Sequence, residues 1–250
     1  MSEKLWYLKQ CRLFERLPPE ELDRLEARAR TRKFARRSPI YLPADDSGAV
    51  LLLARGRVKI CSVTAEGKQA ILAFIDPGEL FGELAILSDS PREDYAEAIE
   101  DSTVVLIPSD AIGDLMESYG HLSLGVTKLI GLRRRTVERR LKSLLFRSNR
   151  ERLTHLLLEL AEQYGKRVDE GLLLDIKLSH QDLASVIGST RETVTVVLGE
   201  LQAEGRLQLG RRRIVLTDLQ GLADGVQQPD WAKSLTARAS TERPKRIAPV

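Results

Sequence analysis

The spacing of apolar residues changes character several times along the chain. Residues 17–30, LPPEELDRLEARAR, follow a proline start with apolar positions at helical spacing and predict a short amphipathic helix. Residues 39–107 carry short apolar runs, AVLLLARGRVKICSV, QAILAFI and TVVLIP, separated by turns at Gly56, Gly67 and Gly78. Closely spaced strands of this kind predict a small barrel or sandwich. From Ser109 the pattern becomes helical. Residues 120–146 contain no proline and would make about seven turns as one helix. That length without an internal stop predicts a helix that packs on a partner. Residues 150–165 predict a second helix, with Gly165 as its C′ residue. Residues 172–178, LLLDIKL, predict a strand, followed by two short helices and a hairpin. The final segment, 227–250, is polar, basic and proline-containing, and is expected to be disordered.

Composition narrows the classes. The 250 residues suffice for two modest domains, 42% hydrophobic content supplies a core, and the net charge is only +3. Nucleic-acid binding would therefore rest on local patches rather than on a polycation. No apolar run approaches the roughly 18 residues that span a bilayer, and the N-terminus lacks the apolar core of a secretory signal. The expected setting is cytoplasmic and without a membrane. Cys11 and Cys61 fit a reduced compartment and are too few for a four-cysteine zinc site or an iron–sulfur cluster. His121, His155 and His180 form no metal-binding spacing and are expected in surface or cap roles, with His121 left as the one open haem candidate. No metal is expected. A cupin-type metal enzyme would need paired histidines within 39–107, and none occurs there.

The most informative stretch is GSTRETVTVVLGEL, 188–201. One helix opens at Ser179, with Asp182 three residues on. A second is expected to open at Ser189, with Glu192 completing a capping box. In the second helix Val194, Val197, Leu198 and Leu201 recur at i, i+3, i+4 and i+7, one buried seam. Glu192, Val196 and Gly199 point away from it, and Arg191 and Thr195 flank it. Two short helices joined by a tight glycine turn make a helix-turn-helix whose second helix would lie in the DNA major groove. Arg191 can donate twice to guanine O6 and N7, and Glu192 can accept from cytosine N4. A solvated arginine and a merely capping glutamate are the plain alternative. The next segment, RLQLGRRRIVL (206–216), tips the balance. It reads as two strands around Gly210 with Arg211, Arg212 and Arg213 at the tip, suited to phosphate contact. Ser179, His180, Ser189 and Thr190 complete the expected DNA-facing set.

At this point the sequence resembles the cyclic-AMP receptor protein/fumarate–nitrate reduction regulator (CRP/FNR) superfamily. LSHQDLASVIGSTRETVTVVLGELQAEGRL is similar to its DNA-binding signature. LFERLPPEELDRL resembles its N-terminal helix, and VLLLARGRVKI with EGKQAILAFIDPGELFGELAIL resembles its cyclic-nucleotide-binding β-roll. The resemblance covers roughly residues 10–220. It implies an α+β fold: an N-terminal β-roll (a double-stranded β-helix, a cupin-like jelly roll), a long dimerisation helix and a C-terminal winged helix-turn-helix. The corresponding boundaries are 1–110, 111–148, 149–222 and a basic tail at 223–250. The implied partners are double-stranded DNA, a second copy of the chain and RNA polymerase. Arg191 and Glu192 match the family's base-reading pair. The next reading position, usually basic, is Val196, a departure from the family's pattern, so the resemblance does not imply the standard half-site. A valine there would contact a thymine methyl, or nothing.

The same resemblance raises the question of a cyclic nucleotide. FGELAILSDSPREDYAEA supplies Gly82, Glu83, Leu84, Pro91 and Arg92 of the family's phosphate cassette, in which the glutamate holds a ribose hydroxyl and the arginine pairs the cyclic phosphate. Glu93 replaces the usual small hydroxyl residue, and Asp94 follows. Like charges at about 4 Å repel by roughly 4 kcal/mol at an effective dielectric near 20. The adenine-contacting positions align with Val137 and Glu138, neither a hydroxyl. Standard cyclic-AMP control is therefore not expected. No cofactor is expected, and the effector is left open, a nucleotide second messenger among the candidates. Val126, Ile130, Val137 and Leu144 would form a dimer seam, interrupted by Arg133 and Arg140. The arginines of 133–140 read either as a solvated face with salt bridges to the acidic β-roll, or as a pocket for a bis-phosphate messenger. A ligand-binding module whose helix-turn-helix contacts only protein is the remaining rival.

Overall fold

The computed structural model describes residues 2–87 and 90–226, so the tail expected at 227–250 lies outside the described residues. The chain forms two compact units that divide within one long helix, between Arg139 and Arg140.

The first unit begins with helices α1 (Glu3–Gln10) and α2 (Pro19–Arg28). Pro19 takes the first helical position, where its missing N–H removes nothing. The strands are β1 (Arg30–Phe34), β2 (Pro39–Tyr41), β3 (Ala49–Arg55), β4 (Val58–Val63), β5 (Gln69–Ile75), β6 (Leu80–Phe81), β7 (Tyr95–Ala98) and β8 (Ser102–Pro108), with a 3-10 turn at Glu83–Ile86. They form two four-stranded sheets, ordered β1-β8-β3-β6 and β2-β7-β4-β5. All pairs are antiparallel.

β3 and β8 explain why the sequence shows continuous apolar runs rather than alternation. Leu51, Leu53 and Val104 face inward and join Val58, Ile60, Ile75, Phe81 and Ala96 in a core between the sheets. Val50, Leu52, Val105 and Ile107 face outward, against Phe14, Leu22, Leu25, Ile112 and Leu122 of the helical layer. A strand covered on both faces has no polar face to alternate. β1, RTRKF, is the opposite case: a charged, mostly exposed strand at the sheet edge, which sequence periodicity does not reveal.

α3 (Ser109–Ser118) precedes α4 (Gly120–Phe146), a single 27-residue helix as predicted. Its N-terminal half is part of the first unit's core. Val126, expected on a dimer seam, is 1% exposed and corrects that expectation, because the face it occupies is already covered, as is that of Leu122. Ile130 is half-buried, while Val137 and Leu144 remain about half exposed.

The second unit contains α5 (Asn149–Tyr164), β9 (Gly165–Val168), β10 (Gly171–Leu174), α6 (His180–Ile187), α7 (Arg191–Ala203), β11 (Leu207–Gly210), β12 (Arg213–Leu216) and α8 (Leu219–Asp224). A reciprocal capping box between Ser148 and Glu151 starts α5. His155, expected at a surface or cap, is instead buried among the leucines of α5. Gly165 ends α5 in an extended conformation rather than as a left-handed C′ residue. Its need for glycine is steric: a Cβ there would lie 2.3 Å from the Ala161 carbonyl oxygen. The chain continues directly into β9, a strand the sequence reading did not anticipate, so the wing sheet has four strands, ordered β11-β12-β10-β9. α8 buries Leu222 and Ala223 and is followed by buried Val226, so the ordered chain extends past residue 223, where the tail was expected to begin.

Candidate functional site

Two groups of side chains carry chemistry, one in each unit. In the first unit, Gly82 adopts a left-handed conformation (φ 66°) that starts the 3-10 turn. The chain is tight there: a Cβ on Gly82 would meet Arg92 Nη1 at 2.5 Å. Glu83 is buried, and its carboxylate forms an ion pair with Arg133 of α4, which also donates to the Leu80 carbonyl. Arg92 Nη2 donates to the Ala49 carbonyl at 2.6 Å, and its guanidinium lies 4.2 Å from the centroid of the Tyr41 ring. Burial holds the Asp94 carboxyl above the usual carboxylate range and pushes the Tyr41 phenol up as well, the two groups lying close together. Glu93 is exposed, whereas Asp94 is half-buried and feels the charge of Arg92.

The geometry thus gathers Gly82, Glu83 and Arg92, but not the rest of the expected ligand set. Leu84 is largely exposed. Val137 is half exposed, and Glu138 pairs with Arg134 at 2.8 Å on the helix surface. The α4 residue that reaches the cassette is Arg133, one turn earlier. The sequence contained it only as one arginine among several. Nothing local marks which of them faces Glu83, fifty positions away.

In the second unit, α6 is closed at its start by a full capping box of Ser179 and Asp182. It ends at Gly188, left-handed at φ 62° and ψ 50°, whose N–H and that of Ser189 both donate to the Ala184 carbonyl. A Cβ at Gly188 would press on Leu144 Cδ2 at 2.8 Å. This exit corrects the expected start of the next helix. Ser189 is committed to closing α6, so the N-cap of α7 is Thr190, whose hydroxyl accepts from the Thr193 N–H at 3.2 Å. Glu192 becomes the second helical residue, too early to complete a capping box. It and Arg191 stand exposed in the first turn.

The predicted seam of Val194, Val197, Leu198 and Leu201 is buried. The Thr195 hydroxyl donates to the Arg191 carbonyl at 2.8 Å and lies 2.9 Å from His180 Nδ1. One hydroxyl has one proton to give, so His180 Nδ1 is the donor of the second bond. That bond ties the start of α6 to α7. Arg150 of α5 grips the far end of α7 through Glu200 at 3.2 Å and Glu204 at 2.6 Å. Ser179, His180, Gln181 and Arg191 line one concavity. Arg212 and Arg213 approach Ser179 and His180 in the next.

The hairpin differs from expectation at its tip. Gly210 pairs with Arg213, so the turn consists of Arg211 and Arg212 alone, with Arg212 left-handed at φ 57°. Arg213 lies in β12 and pairs with Glu170 at 3.5 Å, so it is not part of the exposed tip. Among the described residues no cluster of histidine, cysteine and carboxylates could hold a metal, and no helix is long and apolar enough to cross a membrane.

Comparison with known proteins agrees with both halves. Residues 31–119 match the cyclic nucleotide-binding domain and residues 151–224 the Crp-like helix-turn-helix domain. The chain is 31% identical to the cyclic AMP receptor protein of Thermus thermophilus, over 81% of this chain and 91% of that protein. It is 34% identical to the transcriptional regulator SdrP of the same organism, over 73% and 84%. The structure of a c-di-GMP responsive global regulator from Xanthomonas campestris superposes with a TM-score of 0.72, covering 80% of this chain and 99% of that one, at 22% identity. A β-sheet domain matching the cyclic nucleotide-binding domain, a long helix and a Crp-like helix-turn-helix place this chain in the CRP/FNR family of transcription regulators.

Proposed function

We propose that the protein is a homodimeric, sequence-specific DNA-binding regulator whose β-roll does not use cyclic AMP in the standard way. The observation that carries the DNA reading is the first turn of α7. Its cap is Thr190, which leaves Arg191 and Glu192 exposed side by side with guanine and cytosine chemistry on offer. Ser179, His180, Ser189 and Thr190 border that turn, and Arg211 and Arg212 supply the salt-dependent phosphate contacts. Arg213 contributes less, because Glu170 competes for it. The C-terminal half of α4 supports a dimer: Val137, Leu141, Leu144 and Leu145 are exposed apolar residues at i, i+4, i+7 and i+8, one stripe of a helix. A two-fold dimer then implies a pseudo-palindrome with half-site centres about 10–10.5 bp apart. RNA polymerase is the partner expected of such a regulator.

The β-roll reading rests on the cassette. Glu83 is held by Arg133, and Arg92 by the Ala49 carbonyl and the Tyr41 ring, with Asp94 beside it. A cyclic phosphate entering there would have to displace both arrangements. The match to the cyclic nucleotide-binding domain favours a second reading, activation by a nucleotide second messenger that breaks the Arg133–Glu83 pair.

Selection of duplexes from a random pool by the purified, ligand-free protein tests the proposal. A palindrome bound about 10³-fold or more above scrambled DNA at fixed salt supports it. Sequence-blind binding that becomes selective only with cyclic AMP or a cyclic dinucleotide would replace it with the second reading.

A further inference from the structure

Two residues on the outer face of α7 stand open among the described residues. Val196 is 60% exposed. A Cβ built on Gly199 would meet nothing within 4 Å among the described residues. Both lie opposite the buried seam, successively further along the helix from Glu192. Both are also poor choices for an exposed helical site. Valine loses side-chain freedom against the preceding turn, and glycine loses the most backbone freedom on folding. Local rules broken without an internal compensation point to a function outside the chain. The neighbouring hydroxyl of Thr195 is already committed to Arg191 and His180, so beyond its first turn this part of the reading face presents methyl groups rather than donors or acceptors.

The apolar group that a major groove displays at a base edge is the thymine C5-methyl. We propose that Val196 is a specificity determinant that packs on a thymine methyl, and that Gly199 keeps the helix surface low enough for the duplex to come into van der Waals contact. The inference deepens the DNA-binding reading and rests on it. It replaces hydrogen-bonded readout at this position by shape and a single methyl.

The test uses the full-length protein and its selected duplex at fixed salt. Each thymine of the half-site is replaced in turn, symmetrically, by deoxyuridine, which removes only the methyl. One position is expected to weaken wild-type binding by about tenfold, the worth of two buried methyl groups in a symmetric site. Val196→Ala is expected to be insensitive to deoxyuridine at that position. Gly199→Ala is expected to move two measurements in opposite senses. Its melting temperature rises by about 2–6 °C, because alanine is the better helix former, while its DNA affinity falls by about tenfold. Deoxyuridine tolerated at every thymine, or Gly199→Ala binding as tightly as wild type, would overturn the proposal while leaving DNA binding intact. Absence of any sequence-selective binding by wild type would overturn the underlying reading as well, and is a separate observation.

Discussion

Replacing Arg133 with methionine isolates the ion pair that joins α4 to the cassette. The two partners are unequally buried: the Glu83 side chain is 8% exposed and that of Arg133 25%. Removing the arginine leaves a carboxylate enclosed without its counter-charge and takes a donor from the Leu80 carbonyl. Breaking one side of a buried pair costs about 3–5 kcal/mol. The partial exposure of Arg133 puts the expected loss near the lower end, about 3 kcal/mol. Glu83→Gln is milder. Arg133 keeps its bond to Leu80 and can turn its charge to water, so about 1–2 kcal/mol is expected. In Glu83→Gln/Arg133→Met no unpaired charge is left, and the double variant should be more stable than the sum of the singles implies, by about 1–2 kcal/mol. The assay is urea unfolding followed by the fluorescence of Trp6, in a Trp231→Phe background so that the signal comes from the first unit. Glu83→Gln costing as much as Arg133→Met would refute the burial argument. Single costs that add to within about 0.3 kcal/mol would refute the pairing itself.

Three further expectations concern the second unit and α4. Thr190→Ala should cost about 1 kcal/mol through loss of the α7 cap, with Ser189→Ala close to neutral, as read by thermal melting; the reverse order would restore Ser189 as the cap. Burial, and secondarily the charge of Arg147, depresses His155 to about 4 from its usual 6.5. The unfolded chain therefore takes up the proton first, so stability is complete above about pH 6.5 and falls by up to about 3 kcal/mol as pH drops towards 4. His155→Gln should flatten that part of the pH–stability curve. Leu141→Glu with Leu145→Glu places charges on the exposed stripe of α4, and sedimentation should then report a monomer with an unchanged circular dichroism spectrum.

Some of this molecule was decided by near neighbours in the sequence. The i, i+3, i+4, i+7 seam of α7, the left-handed turn at Gly188 and the uninterrupted length of α4 depend on residues a few positions apart. The same holds for the apolar runs of β3 and β8, which show strands covered on both sides before any partner strand is known. β1 and β9 were illegible because a short polar edge strand owes its conformation to the strand beside it, not to its own pattern. Choosing among Ser189 and Thr190 as the cap required knowing that the Ser189 N–H already closes α6. Choosing which face of α4 is left for a partner required the packing of the first unit, in which Val126 is buried and Val137 stays open. Arg133 meeting Glu83, and Arg92 lying on Tyr41, are separations of about fifty residues bridged by packing. Periodicity and capping are short-range properties that a sequence carries in full view. Which charges are paired, and which apolar residues stay exposed, depends on where the sheets bring distant segments together.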